Sequence, residues 1–344
     1  MINALDYGVL PSRDASDNIN QALQGAAKTG DAISLPPGRL VAAGINLSAG
    51  ANGLERHTPV TIEGAGMTTV RAEMNEAAGT VIDARELSDH VFKILNSKFS
   101  VTIRNMSIIV NGGGFDGLHF DPGTNGVIGN LTLENVMVYG ASGYGFYLRN
   151  TYGDVWLNKL YARACRRGFY GELWNAVSAG ILTARECQEL AFEINGGSGF
   201  DIKNLYLESN AAEALRVHGT CYASRIGAVY AENNNTEGAA AYTVKLGEGI
   251  EASSGLKAMS VGPLVIGPQD NAPSDAYLLL ARYRGLEIAG LNSPGANATA
   301  PLVRVSDAPG YAYSLLLKNI VTNLDIDTSN APDGGVTYQN CYIT

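Results

Sequence analysis

Short runs of alternating apolar and polar residues recur along most of the chain. Five of them superpose without gaps: Val136–Ala141, Leu160–Cys165, Leu182–Cys187, Leu205–Asn210 and Val229–Asn234, with successive starts 24, 22, 23 and 24 residues apart. Alternation with a period of two means a strand with one buried face. A repeat of this length is too short for a pair of helices and fits one coil of several short strands. An earlier copy begins at Met106. Later copies are expected at Leu264, Leu286 and Ile320, with inserted loops between them.

Each coil carries a second alternating segment: Leu118–Asp121, Phe146–Arg149, Phe169–Glu172, Phe192–Asn195, Leu215–His218 and Tyr242–Lys245. A third reads Leu131–Asn135, Val155–Lys159, Phe200–Asn204 and Ser224–Ala228. Three strands per turn, all running the same way, predict an all-β fold, a right-handed parallel β-helix. No coil buries its apolar face alone, so neighbours must stack. Cys165, Cys187, Asn210 and Asn234 fall in one column at the end of the first strand. Stacked Asn there can hydrogen-bond along the ladder and tolerates unusual backbone angles. The two Cys are expected to pack as small hydrophobes. An open coil needs a cover, and a helix over Ile19–Ala27, capped by Asp17 or Asn18, supplies one. The expected organisation is an N-terminal cap with the first strands over residues 1–57 and the β-helix over 58–344.

Composition narrows the function. With 46% hydrophobic and 17% charged residues the chain is expected to fold rather than stay disordered. A net charge of −9 argues against nucleic acid as a partner, since such binders displace counterions with a basic surface. No stretch is apolar enough over its length to span a membrane, and the first residues lack the pattern of an export signal. The 4 Cys include no Cys-x-x-Cys pair and only 4 His are present, so neither a disulfide framework nor a zinc site is expected, and no metal or cofactor is implied. Asn46, Asn130, Asn234 and Asn297 match a glycosylation triplet but carry little weight without an export signal. Gly112–Gly117 lacks the Lys-Ser/Thr of a phosphate loop and reads as a turn. Asp270–Asp275 falls short of a calcium loop and reads as an insertion. Asn233–Gly238 is a longer loop placed to line a groove.

Outward side chains form columns, one residue per coil. Tyr161, Tyr206 and Tyr230 share one, and Arg163, Arg185, Glu208 and Glu232 the next. Arg216 and His218 stand on the second strand. Sugar rings rest their apolar faces on aromatic rings, while their polar groups seek Glu, Asp and Arg. These residues are therefore candidate glycan contacts, although stacked Tyr and charges would also simply solubilise a β surface. Glu208 and Glu232 form the sharpest pair, at equivalent positions on adjacent coils. Carboxylates about 5 Å apart suit a retaining glycosidase, and mutual repulsion keeps one protonated. Asp201, Glu172 and Asp121 are reserves for a wider, inverting pair. A lyase would instead need a base, His218 or Tyr206, and a cation to hold a uronate carboxylate, from Arg163, Arg185, Arg216 or Lys245.

The segment Ala4–Val9, followed by the cap helix and Leu35–Gly38, resembles the leader of pectate-lyase-like β-helix proteins. That superfamily includes polygalacturonases, polysaccharide lyases and phage tailspikes. The coils Ile202–Asn210 and Ile226–Asn234 resemble tailspike-type members in particular. None of the polygalacturonase active-site motifs is present, nor the Asp-His segment of pectate lyases, so no catalytic residue is carried over. The resemblance implies a β-helix that works on a polysaccharide such as a bacterial capsule or O-antigen, a homotrimer, and a virion-tail or extracellular location. The expected function is hydrolysis of a bacterial surface glycan by Glu208 and Glu232. A polysaccharide lyase, a non-catalytic glycan-binding adhesin and a β-helix with no ligand remain alternatives.

Overall fold

The computed structural model describes residues 1–10, 13–68, 79–110, 113–248, 255–269, 271–292, 300–306, 313–322, 324–331 and 335–343. The fold is an all-β parallel β-solenoid with an α-helix, Ser16–Thr29, near the N-terminus, as the repeat predicts. Two compact units follow the chain: Met1–Tyr170 with Ala176–Leu182, and Gly171–Asn175 with Thr183–Thr344. Among the described residues no helix is long and apolar enough to cross a membrane.

In the first unit the coils stack in the expected register. Val136 lies opposite Met106 and Leu160, and Leu131 opposite Val101 and Val155. The two segments Leu131–Asn135 and Val136 onward are one bent strand, Ile128–Tyr139. A single left-handed residue makes each bend: Asn105, Asn135 and Lys159 have φ of 60°, 55° and 51°. Asn tolerates that region because its short side chain bonds locally. Here Asn135 Nδ2 donates to Asn105 Oδ1 in the preceding coil, at 2.9 Å. On the second strands Phe92 lies opposite Leu118, which lies opposite Phe146. Phe146 stacks on Phe169 with centroids 4.7 Å apart. Each of these buried rings contributes about 1.5–3 kcal/mol of hydrophobic stabilisation.

The helix is longer than expected, starting at Ser16 rather than Ile19. Its first turn is served by Asp14 Oδ1, which accepts from the Ser16 backbone N–H at 3.0 Å. Neither Asp17 nor Asn18 caps it, and Asn18 Nδ2 instead donates to the Tyr7 carbonyl at 2.5 Å. Ile19, Ala22, Leu23 and Ala26 form its buried face, the amphipathic stripe read from the sequence.

In the second unit Asp201–Glu208 stacks on Arg225–Glu232, with Leu205 opposite Val229, and Val229 opposite Leu264. The Asn column forms the predicted ladder. The Cys187 N–H donates to Asn210 Oδ1 at 2.9 Å, and Asn210 Nδ2 donates to Asn234 Oδ1 at 2.7 Å. Both Asn are fully buried, so the ladder supplies the partners that buried amides require. The unusual backbone falls one residue earlier, at Glu186, Ser209 and Asn233, with φ of 59°, 56° and 50°. Cys165 of the first unit and Cys187 of the second are buried. Burial pushes the Cys165 thiol up to about 12, which keeps it un-ionised and consistent with packing.

Two register expectations are corrected. Lys245 lies opposite Arg216 rather than His218, because Leu215 pairs with Val244 and strand Tyr242–Glu248 is slid by two residues. A slide of two preserves which side chains face inward, so alternation cannot detect it. Leu286 lies opposite Met259 on a third strand and does not stack on Leu264. It is Asn292 that bridges to Val265, next to Leu264. Leu286–Ile288 alternates as a first strand would, and the inserted loops remove the spacing cue. Gly112, Asp270 and Asn297 lie outside the described residues. The remainder of the Gly112 segment opens with a turn, and the remainder of the Asp270 segment is a loop.

Candidate functional site

On the first-strand face of the second unit, Glu208 lies opposite Glu232 and Tyr206 opposite Tyr230 in adjacent coils. Leu205, Leu207, Val229 and Ala231 take the inward positions, which turns these four outward at a coil spacing of about 4.8 Å. The Tyr230 hydroxyl donates to Glu232 Oε2 at 2.6 Å. That bond raises the pKa of Tyr230, because ionising the phenol would set a second anion against the carboxylate. Tyr206 is 39% exposed, and its ring is tilted against Tyr230 with centroids 6.5 Å apart. Arg185 Nη1 is 3.9 Å from Glu208 Oε2 while its Nε is 3.4 Å from Glu186. The folding therefore assembles Glu208, Glu232, Tyr206, Tyr230 and Arg185, with two like charges opposed and only loosely offset.

The second-strand face of the same unit is different. Arg216 Nε and Nη2 donate to Glu213 Oε2 at 3.0 and 2.6 Å, and Lys245 Nζ is 2.8 Å from Glu213 Oε1. His218 Nε2 is 2.9 Å from Glu193 Oε1. The side chains of Glu193 and Glu213 are only 11% and 12% exposed. Arg216 and His218, candidate sugar contacts in the sequence, thus stand in an internal charge network. Asp201 lies at the far end of its strand from Glu208, opposite Arg225. Glu172 is half-buried on strand Arg167–Asn175. Tyr161 and Arg163 belong to the first unit, opposite Met137 and Tyr139. Asp121, also there, accepts from the Gly123 N–H at 3.0 Å and sits 3.5 Å from Arg149 Nη1.

Sequence reasoning did not assemble one cluster in the first unit. His90 and Asp116 stand at equivalent positions just before strands Phe92–Ile94 and Leu118–Phe120, and His119 is on the latter. Asp116 is buried, 4% exposed. His119 Nδ1 is 2.6 Å from Asp116 Oδ2, and the Tyr144 N–H donates to Asp116 Oδ1 at 2.5 Å. The Asp116 N–H donates to His90 Nδ1 at 2.9 Å. The His90 and His119 rings stack with centroids 4.0 Å apart and planes 17° from parallel. Tyr147 stacks on the other side of His119 at 4.9 Å. Burial, reinforced by His119, lowers the pKa of His90. The signal available in the sequence was His90 lying 26 residues, one coil, before Asp116. An alignment extended one coil earlier, to Phe92, and two residues upstream of the second strand would have found it.

Ligand atoms of His90, Asp116 and His119 lie within 4.8 Å of one another, close enough to test for a metal. Imidazole binds a metal along the lone pair in its ring plane, at about 2.0–2.1 Å for zinc. Rings stacked face to face hold those lone pairs side by side rather than converging. His90 Nδ1 also already accepts a backbone N–H. The donor set does not fit a single ion, and it suits proton handling.

A family model described as rhamnogalacturonase A/epimerase, pectate lyase-like, matches residues 1–241. The chain is similar in structure to the surface protein and adhesin PfbA of Streptococcus pneumoniae, with 10% identity, a TM-score of 0.53 and 99% of each chain covered. It is similar to the A-module of the mannuronan C-5 epimerase AlgE6 of Azotobacter vinelandii, with 20% identity, a TM-score of 0.44, and 89% of this chain and 98% of that one covered. A third likeness is to the tailspike gp49 of Acinetobacter baumannii bacteriophage Fri1, a capsular polysaccharide depolymerase. There identity is 12%, the TM-score 0.47, and the overlap spans 100% of this chain and 62% of the tailspike. At these identities the likeness is one of fold. No curated protein matches the chain in sequence.

Proposed function

The chain belongs to the pectate-lyase-like rhamnogalacturonase A/epimerase family, and on that premise we propose that it degrades a bacterial surface polysaccharide by hydrolysis at Glu208 and Glu232. The observation that carries this reading is the opposition of the two carboxylates on adjacent coils beside exposed Tyr206. Glu232 accepts the Tyr230 hydroxyl at 2.6 Å, which orients its carboxylate. It is the nucleophile in this reading, and Glu208 is the acid that protonates the leaving oxygen. A coil spacing of about 4.8 Å sits close to the roughly 5–5.5 Å of retaining enzymes. Tyr206 offers a ring for a sugar face, and Arg185 a donor for its polar groups. The reading carries with it a virion-tail or extracellular location and a homotrimer, which sedimentation would test.

The test is incubation with capsular and O-antigen polysaccharides, followed by chain-length and reducing-end analysis. New reducing ends are expected, and either Glu208→Gln or Glu232→Gln should lower turnover by about 10²–10⁴-fold while glycan binding persists. Binding without shortening by the unaltered protein would sink the enzyme reading and leave an adhesin.

A further inference from the structure

The outward column that carries Arg185, Glu208 and Glu232 reaches the next coil at Gly267. Tyr230 lies opposite Val265 and Ala231 opposite Ile266, so the residue after Ile266 stands against Glu232. That residue is a buried glycine with no side chain to offer. A Cβ placed on it would lie 3.2 Å from both Cβ and Cγ of Glu232 and 3.6 Å from the Ala231 carbonyl oxygen. Carbon atoms pack best at about 3.5–4.0 Å, so nothing larger than hydrogen fits there without displacement. The Glu232 stem rests directly on the Gly267 backbone.

The backbone itself does not ask for a glycine at this position. Gly267 does not have a left-handed φ, so an alanine could adopt its conformation. A glycine without that need marks a place where another group approaches closely. Nor can the backbone retreat from Glu232. The Gly267 N–H donates to the Ala231 carbonyl at 2.8 Å, and the Asn233 N–H donates to the Pro268 carbonyl at 2.7 Å. Gln269 ties down the same turn. Its Nε2 donates to the Gly267 and Ala231 carbonyls at 2.7 and 3.1 Å, and its Oε1 accepts the Asn234 N–H at 2.9 Å. These bonds clamp residues 267–269 on the end of the Glu232 strand. The part left to move is the Glu232 side chain.

We propose that Gly267 is a positioning residue for the glutamate pair. By carrying no side chain, it lets the Glu232 stem settle on the next coil and so sets where the Glu232 carboxylate stands relative to Glu208. Tyr230 supplies the second constraint, its hydroxyl holding Glu232 Oε2 at 2.6 Å. The two constraints are separate, because the neighbour of Tyr230 in the next coil is Val265 and not Gly267. A side chain at position 267 would push Glu232 by a few tenths of an ångström and leave Tyr230, Glu208 and the clamped backbone in place. Misplacing a reacting group by about 1 Å costs about 10²-fold in rate, so a shift of this size should cost about 3–10-fold. The effect on turnover rests on the reading of Glu208 and Glu232 as the hydrolytic pair, and the effect on where Glu232 stands does not.

The full chain is compared with its Gly267→Ala variant by kinetics on the polysaccharide that the unaltered protein shortens, by thermal unfolding, and by ultraviolet titration of Tyr230, isolated by difference against Tyr230→Phe. In the variant kcat should fall about 3–10-fold, with KM and the unfolding midpoint little changed. The hydrogen bond to Glu232 raises the Tyr230 pKa. Moving one end of that bond should therefore bring the phenol titration to lower pH. An unmoved titration would overturn the assignment, since Glu232 would not have shifted. A moved titration with unchanged kcat would overturn the role in turnover. Loss of the fold, or a midpoint that falls in step with kcat, would mean that the glycine serves packing alone, which also overturns the inference. If the unaltered protein shortens no polysaccharide, the hydrolase reading fails and the consequence for turnover fails with it. The titration needs no substrate, and it still decides whether Gly267 places Glu232.

Discussion

Two faces of the second unit are built on the same ladder geometry and treat charge in opposite ways. On the second-strand face Glu213 and Glu193 are both matched. Glu213 sits between Arg216 and Lys245, and Glu193 meets His218. On the first-strand face Glu208 and Glu232 stand opposite one another, with one tyrosine hydroxyl and a distant guanidinium for relief. A parallel ladder brings equivalent residues of successive coils together, so a repeated charge is self-opposed unless another column answers it. A matched face contributes to stability. An opposed pair costs stability.

Glu213→Gln should break the matched face most severely. It leaves Arg216 and Lys245, which lie opposite each other, without their shared anion. We expect a loss of about 2–3 kcal/mol, at the low end for a broken buried pair, because Arg216 remains 33% exposed. Thermal or urea unfolding would read it, and an unchanged midpoint would mean that the network is only a solvated surface. Glu208→Gln should have the opposite sign. Removing one of two opposed charges should stabilise the protein by about 0.5–1 kcal/mol even as turnover is lost. Destabilisation of comparable size to that of Glu213→Gln would erase the contrast between the faces. The smallest effect sharpens it further. The hydrogen bond to Glu232 raises the Tyr230 pKa, so in Glu232→Gln the phenol should ionise at lower pH, returning toward its ordinary value near about 10. Ultraviolet difference titration against Tyr230→Phe would detect that shift, and an unmoved titration would mean that Glu232 does not hold the Tyr230 hydroxyl in solution.

The glutamate pair was legible because both residues lie in the ungapped part of the repeat, where a spacing of 24 residues translates directly into adjacency. Lys245 was misplaced because the loop before it lengthens and a two-residue slide leaves the alternation intact. Arg216 looked available for sugar because its partner Glu213 lies just outside the aligned strand, and His218 because its partner Glu193 stands in the neighbouring column, opposite Arg216. The His90 cluster was missed for the same reason, since His90 and Asp116 also precede their strands.

The repeat of apolar positions was enough to determine a parallel solenoid, the stacking of Val136, Leu160, Leu205 and Val229 in their columns, and the Asn ladder. Burial of one face of each strand, together with the near-constant spacing of the ungapped coils, fixes how those coils stack, and that pattern is local. Only the tertiary structure decided which outward charges are answered and which partners His90 and His119 meet. Those outcomes depend on side chains reaching across coils and on backbone N–H groups such as those of Asp116 and Tyr144. Hydrogen-bond geometry of that kind leaves no periodic trace in the order of residues.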